Sequence, residues 1–132
     1  MSRFLPAVSA LLLSSFPASA LTLECRIPPT NAGGGYVTGV YVFQHEAGST
    51  QAIVSDEVIM YFNAEQPMKA KVTSDTAKKL VFSWNVLMTN AGQTTRMQYR
   101  AAYFKETGAV TIRAKPGGYT NDFEGRGACR AL

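Results

Sequence analysis

The chain has 132 residues, 46% of them hydrophobic, and carries a formal net charge of +4. A charge this mild argues against a nucleic-acid partner, and one histidine with two cysteines leaves little material for metal or triad chemistry. The length suits one ordinary domain.

Residues Met1–Ala20 read as a cleaved export signal. Arg3 lies in a short n-region, Leu11, Leu12 and Leu13 carry the apolar run, and Ala18-Ser19-Ala20 supplies a small-residue cleavage site. Pro6, Ser9, Ser14, Ser15 and Pro17 interrupt that run, which falls short of the roughly 20 apolar residues of a membrane-spanning helix. Removing Arg3 from the 13 basic residues leaves 12 against 9 acidic ones in the mature chain, Leu21–Leu132. Export implies the periplasm or the outside of a bacterial cell. In such an oxidising compartment Cys25 and Cys129, near the two ends of the mature chain, are expected to form one disulfide.

Leu21–Ile27 alternates strictly, with Leu21, Leu23, Cys25 and Ile27 on one face, and Pro28-Pro29 ends the strand. Thr30–Gly35 is a glycine-rich loop without the Gly-Lys-Ser/Thr that a phosphate loop needs. Tyr36–His45 reads as a second strand, with Gly39 a bulge or kink and His45 a solvated residue at its end. Gln51–Val54 and Glu57–Phe62 read as further strands parted by Ser55-Asp56. For the second, its shortness and its Val, Ile, Tyr and Phe content favour a strand over a short helix. Met68–Thr73 alternates again.

Lys78–Pro116 organises the rest: three strand-like runs separated by Thr89-Asn90-Ala91-Gly92 and Glu106-Thr107-Gly108, an antiparallel meander with one apolar face. A turn over Ser74–Lys78 would set Val72 opposite Leu80. A four-residue loop at Thr89–Gly92 would set Trp84 opposite Met97 and Phe82 opposite Tyr99. A turn centred on Glu106-Thr107 would set Tyr103 opposite Val110, Ala101 opposite Ile112 and Tyr99 opposite Ala114. Every one of these registers gathers apolar residues on one face. In the last run Phe123, Gly125, Gly127 and Cys129 share a face, and the glycines suggest a bulky neighbour packed across them, such as Trp84 or a tyrosine.

Pairing Cys25 with Cys129 sets the first and last strands side by side. The fold class is therefore all-β: a small antiparallel up-and-down barrel or closed sandwich of about eight strands, in one domain. An outer-membrane barrel would need an apolar outer band. Here Lys69, Lys71, Lys79, Arg96, Arg100, Arg113 and Lys115 lie opposite the core, and the chain ends in Ala131-Leu132 rather than on an aromatic residue, so a soluble monomer is expected.

Little in the chain spells out catalysis, and no enzyme activity, metal or cofactor is expected. His45 would have to serve any triad, and Asp122 and Glu124 lack the spacing of a calcium loop. Two candidate sites remain. The first is an anion-binding sheet face formed by Arg96, Arg100, Arg113 and Lys115, where Arg100 falls opposite Arg113 and Gln98 opposite Lys115. It would dock an anionic glycan, a lipid headgroup or an acidic protein. The second is an apolar cavity in the barrel, lined by Phe82, Trp84 and Tyr99.

The layout of signal, short all-β domain and cysteines near both ends is similar to that of periplasmic inhibitors of C-type lysozyme, which are small barrels with a terminal disulfide. Their Ala-Ser-Gly-Ala-Arg-Tyr loop and Trp-x-Lys-Gly stretch do not occur here, where Asn85-Val86-Leu87 follows Trp84, so no residue role transfers. The sequence thus points to an exported, non-enzymatic binding module. The alternative is a periplasmic inhibitor of an envelope-targeting hydrolase such as lysozyme, presenting an exposed loop such as Asn31–Tyr36.

Overall fold

The computed structural model describes residues 20–132, so the export-signal reading lies outside the described residues except for Ala20. Eight strands pair in chain order and close on themselves: β1 (Ala20–Arg26), β2 (Val40–Glu46), β3 (Gln51–Ser55), β4 (Met68–Asp75), β5 (Lys79–Asn90), β6 (Gln93–Phe104), β7 (Ala109–Pro116) and β8 (Phe123–Ala131). Of the two expected architectures, the barrel is the one that forms. Its seam is the antiparallel pair β1–β8, in which Cys25 stands opposite Cys129 and the two form a disulfide.

Alternation does the sorting. Leu23 and Cys25 on β1, Tyr41 and Phe43 on β2, Phe82, Trp84 and Val86 on β5, and Met97, Tyr99 and Ala101 on β6 all point inward and are buried. The interior is filled by stacked rings. Phe43 lies 4.4 Å from Phe82 and nearly parallel to it, and Trp84 lies 5.3 Å from Tyr99 at an interplanar angle of 3°. An eight-stranded barrel is just wide enough for side chains to fill in this way.

The register of β6 with β7 is the expected one, with Tyr103 opposite Val110, Ala101 opposite Ile112 and Tyr99 opposite Ala114. The other two registers are each displaced by two residues. Between β5 and β6 the loop has two residues, not four, because Ala91 and Gly92 both take positive φ (51° and 80°), as a type I′ hairpin turn requires. Trp84 therefore faces Tyr99 and Phe82 faces Ala101. Between β4 and β5 the turn comes later, closed by a 2.9 Å bond from Thr76 N–H to the Lys79 carbonyl, and a bulge between Val72 and Ser74 returns one residue. Val72 thus faces Phe82. A displacement of two preserves the face of every side chain, so the core survives both errors.

Glu57–Phe62 corrects the sequence reading: it is a helix, α1, not a strand. Asp56 is its N-cap, its Oδ1 accepting from the Ile59 N–H at 2.8 Å, while Ile59 is buried and Val58 and Phe62 pack against the core. His45 is the second correction. It continues the inward series of Tyr41 and Phe43 and is only 5% exposed, with Nε2 2.8 Å from the Ser49 carbonyl, rather than solvated. The bulky neighbours of the β8 glycines also differ from expectation. A Cβ on Gly125 would meet Ile27 and Val37, and one on Gly127 would strike the Arg26 carbonyl, so it is the end of β1 and the connection after it that pass closely there.

The barrel's ends are unequal. At one end short turns join β2–β3, β4–β5 and β6–β7. The other end, here the loop end, carries the long connection after β1 with a single 3-10 turn (Asn31–Gly33), helix α1, the β5–β6 hairpin tip, and the loop between β7 and β8.

Candidate functional sites: a basic sheet face and the loop-end cleft

The four predicted cations all lie on the outer face of β6 and β7. Arg100 stands directly opposite Arg113, Lys115 opposite Gln98, and Arg96 opposite Leu87 of β5. All four are exposed. The sequence of β5, β6 and β7 contains no carboxylate, so relief must come from neighbouring strands. Only Arg113 receives it: Glu124, its β8 partner, lies 3.6 Å away and also binds Arg126 at 2.8 Å. The hydrogen bond from Arg126, together with the positive charges of Arg126 and Arg113, holds the Glu124 carboxyl below its ordinary range. With Glu124 committed to these two arginines, it is part of the ion-pair network. Among the described residues no carboxylate lies within 4 Å of Arg96, Arg100 or Lys115.

Two cross-strand rows compose this face. One runs Lys71, Ser83, Arg100, Arg113; the other places Asn85 beside Gln98 and Lys115. Cations thus share this outer face with the hydroxyl of Ser83 and the carboxamides of Asn85 and Gln98.

Phe82, Trp84 and Tyr99 are brought together as expected, but as members of the packed ring stack. Neither the cleft at the loop end nor the one beside His45 is lined by them. Trp84 Nε1 is buried without a hydrogen-bond partner. The Tyr99 hydroxyl, by contrast, leaves the stack to donate to the Tyr36 carbonyl at 2.8 Å, tying the loop after β1 to the barrel. Burial pushes the Tyr99 and Tyr41 hydroxyls well above the ordinary tyrosine range, so both remain protonated, and the Tyr41 hydroxyl accepts from the Thr38 N–H at 3.1 Å.

A polar knot closes the same end. Asp56 is 6% exposed, and its Oδ2 accepts from the Thr38 hydroxyl at 2.6 Å while Oδ1 caps α1. Burial raises its carboxyl above the ordinary range, against the pull of these hydrogen bonds. Asp56 thereby joins α1 to the loop that carries Tyr36.

Above this knot lies a cleft of about 390 Å³ that sequence reasoning missed. Its walls come from segments remote in the chain: Tyr36, Phe62 at the end of α1, Asn90 and Gln93 flanking the hairpin turn, and Tyr119 and Asn121 in the β7–β8 loop. Met88 and Met97 form its floor. No charged residue lines it. The loop an inhibitor reading would use, Asn31–Tyr36, borders this end, with Gly34 seated against the Phe123 ring and Tyr36 packed 4.7 Å from it. No family model matches the sequence, and neither a curated protein nor a solved structure is significantly similar to it, so the functional reading rests on these two surfaces.

Proposed function

We propose that this protein is an exported, non-enzymatic binding module that docks an acidic polysaccharide on the outer face of β5–β7. The observation that carries the reading is Arg100 held directly opposite Arg113 on three successive strands that have no carboxylate. Like charges in directly opposed positions destabilise a sheet; Glu124 relieves Arg113 alone, and an anionic partner would relieve Arg100, with Arg96 and Lys115 beside it. A glycan suits this surface better than a compact phosphate. The cations are spread along two strands instead of converging on a point, and Ser83, Asn85 and Gln98 between them offer partners for sugar hydroxyls. The disulfide at the seam fits a chain that matures in an oxidising compartment.

The test is retention on immobilised polygalacturonate and heparin as salt is raised. Binding should weaken steeply with salt, as exposed charges are screened. Replacing Arg100 and Arg113 together by Gln should weaken it at least about tenfold, roughly 1.4 kcal/mol. Arg130→Gln, on β8 and paired with Glu24, should leave it unchanged. Equal retention of all three proteins sinks the proposal, as would tighter binding to polyglutamate or to anionic phospholipid vesicles than to either glycan.

A further inference from the structure

The loop-end cleft sits beside the basic face yet has the opposite chemistry. We infer that it is a second subsite that receives one uncharged sugar ring of the same glycan, with Tyr119 and Tyr36 against the ring's C–H face and Asn90, Gln93 and Asn121 on its hydroxyls. This rests on the glycan reading above and adds to it where the chain goes after leaving the arginines.

Three properties select the ligand class. The absence of any charged lining residue selects an uncharged group, because a carboxylate or phosphate placed there would lose water with no cation to replace it. The three carboxamides each offer both donor and acceptor atoms, which match hydroxyls that also donate and accept; a purely apolar ligand would leave them without partners. The tyrosines supply flat apolar faces with a polar tip, and they are accessible, Tyr119 at 58% and Tyr36 at 38% exposure. The volume, about 390 Å³, falls toward the small end of the range for small-molecule sites.

The Tyr36 wall and the start of the β7–β8 loop are held before any ligand arrives. Tyr36 is held from below by the Tyr99 hydroxyl and from the side by Phe123. The β7–β8 loop is tied to the hairpin by the Gly117 N–H, which donates to the Arg96 carbonyl at 2.8 Å. A Cβ on Gly117 would come within 3.2 Å of that carbonyl, a tight contact that glycine avoids. Such preorganisation lowers the ordering cost of binding.

Continuity links the two subsites. Along β6, Gln93, Thr95 and Met97 line the cleft, while Arg96, Gln98 and Arg100 alternate with them onto the outer face. On β7, Pro116 lines the cleft and Lys115 beside it belongs to the cationic face. Arg100 and Arg113 lie three residues along their strands from Met97 and Pro116 at the cleft, about 10 Å at the usual strand rise, so a glycan lying across the arginines reaches the cleft by continuing along β6 and β7.

The experiment uses neutral probes, cellobiose and N,N′-diacetylchitobiose, followed by saturation-transfer NMR and calorimetry in high salt, where the basic face is screened. At least one should bind with a dissociation constant in the low-millimolar range, of order −4 kcal/mol. Tyr119→Ala and Asn121→Ala should each weaken it several-fold, while Arg100→Gln leaves it unchanged. No binding of either probe overturns the inference, and so does binding that survives both cleft substitutions. Retention on polygalacturonate is read separately: if it persists while the neutral probes fail, the basic-face reading stands and the cleft inference alone falls.

Discussion

Replacing Arg100 by Gln should make the barrel more stable in low salt, and the gain follows from the register. Arg100 faces Arg113 directly, at a Cβ separation of about 5 Å for opposed residues, and Lys115 diagonally, at about 7–8 Å. Lys71, two strands away across Ser83, repels it as well, but Glu124 at the same remove on the other side attracts it, and these two long-range effects cancel. In water two unit charges at these separations repel by about 0.8 and 0.6 kcal/mol, and splaying of the long side chains lowers the sum to about 1 kcal/mol. The screening length is about 30 Å at 10 mM salt and about 3 Å at 1 M, so the gain should be nearly full in the first and almost absent in the second. Gln keeps the side chain as far as Cδ and a polar tip without the charge, and leaves the Arg113–Glu124 contact in place. Urea titrations of both proteins at the two salt concentrations give the difference directly, with general salt effects cancelling. A loss of stability at 10 mM, or a difference indifferent to salt, would show that Arg100 is a structural residue, and the argument for a partner-binding face would go with it.

Removing the disulfide by Cys25→Ala with Cys129→Ala frees a loop of sequence separation 104, worth about 4.7 kcal/mol on the loop-entropy model and commonly less when measured. The urea midpoint should fall by the equivalent of about 2–5 kcal/mol and the m-value should rise, because the open chain exposes more surface; a loss below about 1 kcal/mol would mean the β1–β8 ladder alone holds the seam. Asp56→Asn keeps both the helix cap and the partner of Thr38 without the buried charge. Because the Asp56 carboxyl is raised in the fold, its stabilisation is fully present below the ordinary carboxylate pKa and is lost as pH rises through the folded value. Relative to the Asn variant, the wild type should therefore be most stable at pH values below the ordinary carboxylate range and lose ground as pH rises above it, and a difference that ran the other way would refute the assignment. Trp84→Phe keeps most of the ring stack and removes an unpaired N–H that costs about 1–3 kcal/mol when buried. It should cost less than about 1.5 kcal/mol against about 3–5 for Trp84→Ala in chemical denaturation; equal losses would mean that volume alone matters there.

What could be read in the sequence, and what could not, divides along a physical line. Period-two alternation is local, so the strands of the meander and their inward residues were legible, and because both displaced registers moved by two they left every side chain on its proper face. Helix α1 escaped because its decisive feature is one cap. Asp56 holding the Ile59 N–H outweighs the β-preference of six residues whose apolar members also suit a strand. The cleft was invisible for a different reason: Tyr36, Asn90, Gln93 and Asn121 share no motif, and only closure of the barrel gathers their loops at one end. The basic face stands between these cases. Its cations were visible as a pattern, but whether a neighbour neutralises them depends on the strand beyond, and there Glu124 reaches Arg113 and not Arg100. Strand β6 is where the two surfaces meet: its inward residues join the stacked core, its outward arginines meet β7 on the basic face, and Gln93, Thr95 and Met97 line the cleft.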